Sequence, residues 1–167
     1  SMETKPYRRR PVPPFTTSTL QQTAGNRLGM SSRQTMRAAQ GLYENGFITY
    51  MRTDSVTLSQ EAIAAAREAV SRHFGEKYLS DAPKQYATKT AGAQEAHECI
   101  RPAGAHFRDP AEIATKVPAD QLKLYTLIWQ RTLACQMADA TGSTATVRLS
   151  SPTESDGEAM FQASGTV

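Results

Sequence analysis

The chain has little cysteine, no paired cysteine motif and no long apolar run. Only Cys99 and Cys135 occur in its 167 residues, and no Cys-x-x-Cys spacing exists. This excludes a paired-cysteine zinc ribbon and a disulfide-dense secreted scaffold. The N-terminus has no apolar h-region of the secretory kind, so both thiols are expected to stay reduced and the protein to be cytoplasmic. No apolar stretch approaches the roughly 20 residues that cross a bilayer, so no membrane partner is expected. Strong charge is missing too: Lys and Arg total 19 against 16 Asp and Glu, a formal net charge of +3. No internal repeat is present.

What remains is ordinary globular material, 39% hydrophobic and 21% charged, long enough for one sizeable core. Residues 1–14 carry Pro6, Pro11, Pro13 and Pro14, which forbid a helix and predict an extended arm or edge strand. Lys5, Arg8, Arg9 and Arg10 cluster there, and Arg27, Arg33 and Arg37 follow. Such a run suits a solvated surface or a nucleic-acid backbone. Caps and apolar spacing predict helices over 17–28, 32–45, 60–74 and 119–137, with a short one at 93–100. Met36, Ala39, Leu42 and Tyr43 form the second helix's stripe, and Leu122, Tyr125, Ile128, Trp129 and Leu133 the last helix's. Residues 144–149 and 159–163 alternate around a polar turn and predict a β-hairpin.

The informative segment is Gly46-Phe47-Ile48-Thr49-Tyr50-Met51-Arg52-Thr53-Asp54-Ser55. It opens as a buried strand and turns polar. On a strand, Tyr50, Arg52 and Asp54 share one face. A phenol can attack phosphorus, a guanidinium can brace a phosphate with two hydrogen bonds, and a carboxylate can orient that guanidinium. A packing tyrosine beside a surface ion pair would look the same. Two helices, a tight turn and a strand also match a helix-turn-helix with a wing, or a plain helical hairpin packed on a strand.

The wider wording narrows this choice. Leu42 to Ser55 resembles the active-site segment of bacterial type IA DNA topoisomerases. Phe15-Thr16-Thr17-Ser18-Thr19-Leu20-Gln21-Gln22 is similar to the family's upstream stretch. Gln94-Glu95-Ala96-His97-Glu98-Cys99-Ile100-Arg101-Pro102 is similar to its downstream stretch, where Ala usually stands at Cys99. Met51 resembles the topoisomerase I branch rather than the topoisomerase III branch, which usually has Pro there.

The resemblance implies an α+β, mostly helical chain. A winged-helix-like, tyrosine-bearing catalytic domain would occupy 11–140. Residues 1–10 and 141–167 would be an arm and β-hairpin belonging to an adjacent β-rich domain. It implies Tyr50 as the nucleophile that cuts one DNA strand through a 5′-phosphotyrosine link, with Arg52 stabilising charge on the phosphate. Asp54 would orient Arg52, and His97 would contact a DNA phosphate; Glu95, Glu98 and Arg101 are read as structural. The implied partners are DNA, as a single-stranded segment, and the enzyme's remaining domains, above all toprim. Mg2+ would be held there by an Asp-x-Asp cluster, and no such motif occurs here. The chain alone is therefore expected to hold no metal and to be inactive. The alternative is a non-catalytic winged-helix DNA-binding module, in which the helix at 32–45 reads bases and Tyr50 is dispensable.

Overall fold

The computed structural model describes residues 1–87, 97–155 and 157–167. The chain divides into two compact units, one of residues 1–10 with 139–167 and one of residues 11–138. The first is a three-stranded antiparallel sheet in the order β1 (Met2–Arg9), β2 (Ala140–Pro152), β3 (Glu158–Thr166). Met2 pairs with Val147 and Arg9 with Ala140, so the proline-bearing arm is an edge strand, where a missing N–H is tolerated. In the hairpin Leu149 faces Phe161 and Val147 faces Ala163, leaving an apolar row on one exposed face.

The second unit is helical. α1 (Thr17–Leu28) starts at a capping box made by Thr16 and Thr19, and Gly29 ends it at φ +66°. α2 (Ser32–Glu44) is capped by Ser31 and Gln34. α3 (Gln60–Phe74) starts at Ser59 and buries Ala62, Ala65, Ala66 and Ala69 beside Ile63 and Val70. A 3-10 turn at Glu76–Tyr78 and the single turn α4 (Pro110–Ile113) lead to α5 (Ala119–Ala134). Leu20, Leu42, Ile48, Phe107, Ile113, Leu124, Ile128 and Leu133 are among the fully buried side chains of its core. No helix among the described residues is long and apolar enough to cross a membrane.

Four expectations change. No strand runs through Tyr50: Ile48 makes one isolated bridge with Pro102, and Pro102 has no N–H to extend it. The stripe of α2 is rotated, burying Thr35, Ala38, Ala39 and Leu42 and leaving Tyr43 exposed. α5 ends at Ala134 because the chain beyond it bonds elsewhere. There the Gln136 carbonyl accepts the Ser80 amide, its side chain brackets the backbone of Lys84, and the Ala138 amide donates to Tyr78. Of the helix expected at 93–100, residues 93–96 lie outside those described, residues 97–99 are not helical, and Ile100 bridges Phe15.

Candidate active site

The segment carrying Tyr50 begins at a sharply ended helix. Phe47 N–H donates to Leu42 C=O and Gly46 N–H to Tyr43 C=O, the paired bonds of a Schellman cap, with Gly46 at φ +76°. The Arg108 guanidinium donates to the Gly46 carbonyl and lies over the Phe47 ring at 4.4 Å, placing a cation at the helix C-terminus.

Beyond this cap the backbone is fixed by threonines. Thr49 N–H donates to Arg101 C=O at 2.9 Å. The Thr49 hydroxyl donates to Cys99 C=O and accepts from Arg101 N–H. One residue past Tyr50 a second staple begins. The Thr17 hydroxyl, in the first turn of α1, donates to Met51 C=O at 2.7 Å and accepts from Thr53 N–H at 2.9 Å. Thr17 N–H, one of the helix's orphan donors, bonds Thr53 C=O. The Thr53 hydroxyl donates to Glu98 C=O, and Cys99 N–H to Thr57 C=O.

These bonds decide which side chains face out. Met51 and Ser55 are buried and Thr53 is half-buried, while Tyr50, Arg52 and Asp54 are exposed. The alternation expected of a strand thus survives without one. Tyr50 is 46% exposed and meets the ring of Tyr43 nearly edge-on, with centroids 5.2 Å apart. His97 is exposed and directly precedes Glu98, whose carbonyl is tied to Thr53. The stretch bearing His97 therefore lies against the one bearing Tyr50, Arg52 and Asp54, although about 45 residues separate them in sequence.

Glu98 and Arg101, read as structural, form an ion pair outside any helix. Arg101 is only 6% exposed, and its guanidinium also donates to the carbonyls of Pro102 and Gly104. One buried cation thus fixes the whole turn after His97. Both cysteines are free thiols in the core. Burial pushes both thiols up, Cys135 to about 12 and Cys99 further, so neither is a nucleophile at neutral pH. Among the described residues no group of three His, Cys, Asp or Glu side chains could hold a metal ion.

Thr17, Thr49 and Thr53 are not among the site residues expected from sequence, and Tyr43 was expected in the core. The signal was present only as hydroxyl residues bracketing the tyrosine, and simple capping explains those equally well.

A family profile described as DNA topoisomerase matches residues 1–167. The chain belongs to the bacterial DNA topoisomerase I family. DNA topoisomerase 1 of Mycolicibacterium smegmatis is 53% identical over 165 residues, which are 99% of this chain and 18% of that protein. The Synechocystis DNA topoisomerase 1 is 62% identical over 138 residues, 83% of this chain and 15% of the relative. The structure of full-length topoisomerase I from Thermotoga maritima superposes with a TM-score of 0.78 at 36% identity, covering 99% of this chain and 27% of that one. The chain spans less than a fifth of the length of the two sequence relatives.

Proposed function

We propose that this chain is the nucleophile-bearing part of a type IA DNA topoisomerase. The Tyr50 phenol oxygen attacks a backbone phosphorus of one DNA strand. The P–O bond to the 3′ oxygen breaks, and the strand's 5′ phosphate becomes an ester of Tyr50. After another strand passes through the gap, the free 3′ hydroxyl attacks this ester and releases Tyr50. One phosphodiester replaces another at each step, so negative supercoils relax without ATP.

The observation that carries the reading is the display of Tyr50, Arg52 and Asp54 from a backbone held on its inner side, in a chain of this family. A phenol ionises near pH 10, so it gains from charge placed on the phosphate it attacks. Arg52 supplies that charge, Asp54 orients Arg52, and His97 contacts a neighbouring phosphate. Mg2+ belongs to the toprim domain in this reading and is not held by this chain. The chain alone is inactive, and its partners are a single-stranded DNA segment and the enzyme's other domains. The order α1, α2 and an extended segment supports a winged-helix-like core. The exposed apolar row at Val147, Leu149 and Phe161 supports placing residues 1–10 and 141–167 in a neighbouring β-rich domain. The enzyme acts in the cytoplasm.

The test mixes this chain, or its Tyr50→Phe variant, with a toprim-containing fragment, Mg2+ and single-stranded DNA, then quenches with detergent. A covalent protein–DNA adduct is expected from the unmodified chain alone. An adduct that persists in Tyr50→Phe refutes the assignment. If neither forms one, the same substitution is made in a full-length relative, where retained relaxation would refute it.

A further inference from the structure

A groove lies between the C-terminal end of α1 and the middle of α5, with a volume of about 340 Å³. Leu28, Leu122 and Leu127 give it an apolar floor. Arg27 and Lys123 stand among its lining residues, and Thr126 and Gln130 add a hydroxyl and an amide. No carboxylate lines it. Arg131 follows Leu127 by one turn of α5 and donates to the Pro13 carbonyl. Its guanidinium is held below the ordinary range, first by burial and next by Arg27, so two cations sit near each other. Among the described residues Arg27, Lys123 and Arg131 form no ion pair.

This charge pattern selects a ligand. Two lining cations, Arg27 and Lys123, with no carboxylate in the lining favour an anion, and the leucine floor of the same groove favours a flat apolar face. Single-stranded nucleic acid offers both, with phosphates flanking a base whose polar edge can meet a hydroxyl or an amide. In a DNA topoisomerase family the relevant polymer is DNA. We propose that this groove is a second seat for single-stranded DNA, taking a base on Leu28, Leu122 and Leu127 and the flanking phosphates on Arg27 and Lys123. The seat lies at the opposite end of α1 from Thr17, which staples the Tyr50 segment. A helical rise of 1.5 Å over those 11 steps sets the two ends roughly 16 Å apart. The seat is thus separate from the segment bearing Tyr50, and it does not depend on Tyr50 being a nucleophile.

The test is fluorescence anisotropy with a labelled oligo-dT strand and the full 167-residue chain at low salt. Arg27→Ala/Lys123→Ala removes the cations, and Leu122→Glu places a carboxylate on the half-buried edge of the floor. Arg33→Ala/Arg37→Ala removes the same charge from α2. Each groove variant is expected to lose about tenfold or more in affinity, and the α2 control less than about threefold. The slope of log affinity against log salt should fall by about 1.4 for the groove double variant, at about 0.7 per single-strand phosphate contact. Thermal melting confirms that each variant folds. Equal losses in the two double variants would reduce the effect to net charge and overturn the seat. Wild-type affinity in Leu122→Glu, or no binding by the unmodified chain, would overturn it as well.

Discussion

Replacing Thr17 with valine removes one hydroxyl and keeps the shape of the side chain. That hydroxyl donates to Met51 C=O and accepts from Thr53 N–H, so the substitution leaves two backbone groups without partners. A neutral hydrogen bond contributes about 1 kcal/mol net, and an unpaired buried group costs about 1–3 kcal/mol. Met51 is buried, but Thr17 and Thr53 are half-buried and water can reach part of the site. The expected loss is therefore about 1–2 kcal/mol, well below the sum for two fully buried groups. Thr and Val have nearly equal helix propensity, so α1 itself contributes little to the change. The bond from Thr17 N–H to Thr53 C=O survives, so the segment should loosen rather than detach. Urea denaturation should show the midpoint lowered by about 0.5–1 M with an unchanged slope. Hydrogen exchange at the Thr53 amide should quicken about tenfold, which corresponds to about 1.4 kcal/mol. Thr17→Ser keeps the hydroxyl and should restore Thr53 protection. Unchanged exchange at Thr53 in Thr17→Val would refute the staple.

Tyr43→Leu removes the edge-on partner of Tyr50, whereas Tyr43→Phe keeps the ring. In the mixing assay adduct formation should slow about threefold to tenfold with leucine and stay near normal with phenylalanine, since such ring pairs contribute about 0.5–1.5 kcal/mol. Equal rates for both would remove Tyr43 from the site. Gly46 sits at φ +76°, so Gly46→Ala should cost about 1–2 kcal/mol by thermal melting; an unchanged melting temperature would show that the cap relaxes. The pH dependence of stability follows from the thiols. Burial raises Cys135 from 9.0 to about 12 and raises Cys99 further, so the folded state keeps protons that the unfolded state has lost. Stability should be fully present below about pH 9 and fall as pH rises toward 12. Cys99→Ala/Cys135→Ala should lessen that alkaline slope measured by urea titration, and an identical slope would assign it to other groups.

The helices were legible because their signals are local. Thr16, Ser31 and Ser59 accept from the first-turn amides, and Gly29 and Gly46 end α1 and α2 with positive φ. The hairpin was legible from alternation around a polar turn. The end of α5 was not, because bonds from Ser80 to Gln136 and from Lys84 to its side chain join residues more than 50 apart. Tyr43 was misplaced for a related reason. Its spacing fits an apolar stripe, but α2 rolls so that Ala38 and Ala39 face the core. Small residues permit that rotation, and periodicity alone cannot choose between two stripes one residue apart. At the candidate site the shared face of Tyr50, Arg52 and Asp54 was legible from period two, but its exposure was not. Its support was not, since Thr17 and Thr49 act on partners 34 to 52 residues away.

The two staples give the segment a division of labour. Thr49 fixes the backbone just before Tyr50 to the stretch that carries His97, and Thr17 fixes it just after to α1. The backbone of Tyr50 is thus held from both sides by elements that are themselves anchored in the core. Its side chain meets one ring and otherwise projects outward. The nucleophile role proposed for Tyr50, in which a bond to a bulky strand forms and later breaks, needs this combination. A backbone free to drift would lose the alignment that transfer requires, since misplacement by about 1 Å can cost about a hundredfold in rate. A side chain locked into the core could not reach a phosphate. The hydroxyls of the staples point inward to carbonyls and amides, so in the proposed reaction the polar groups that hold the segment would not compete with DNA for Tyr50 or Arg52.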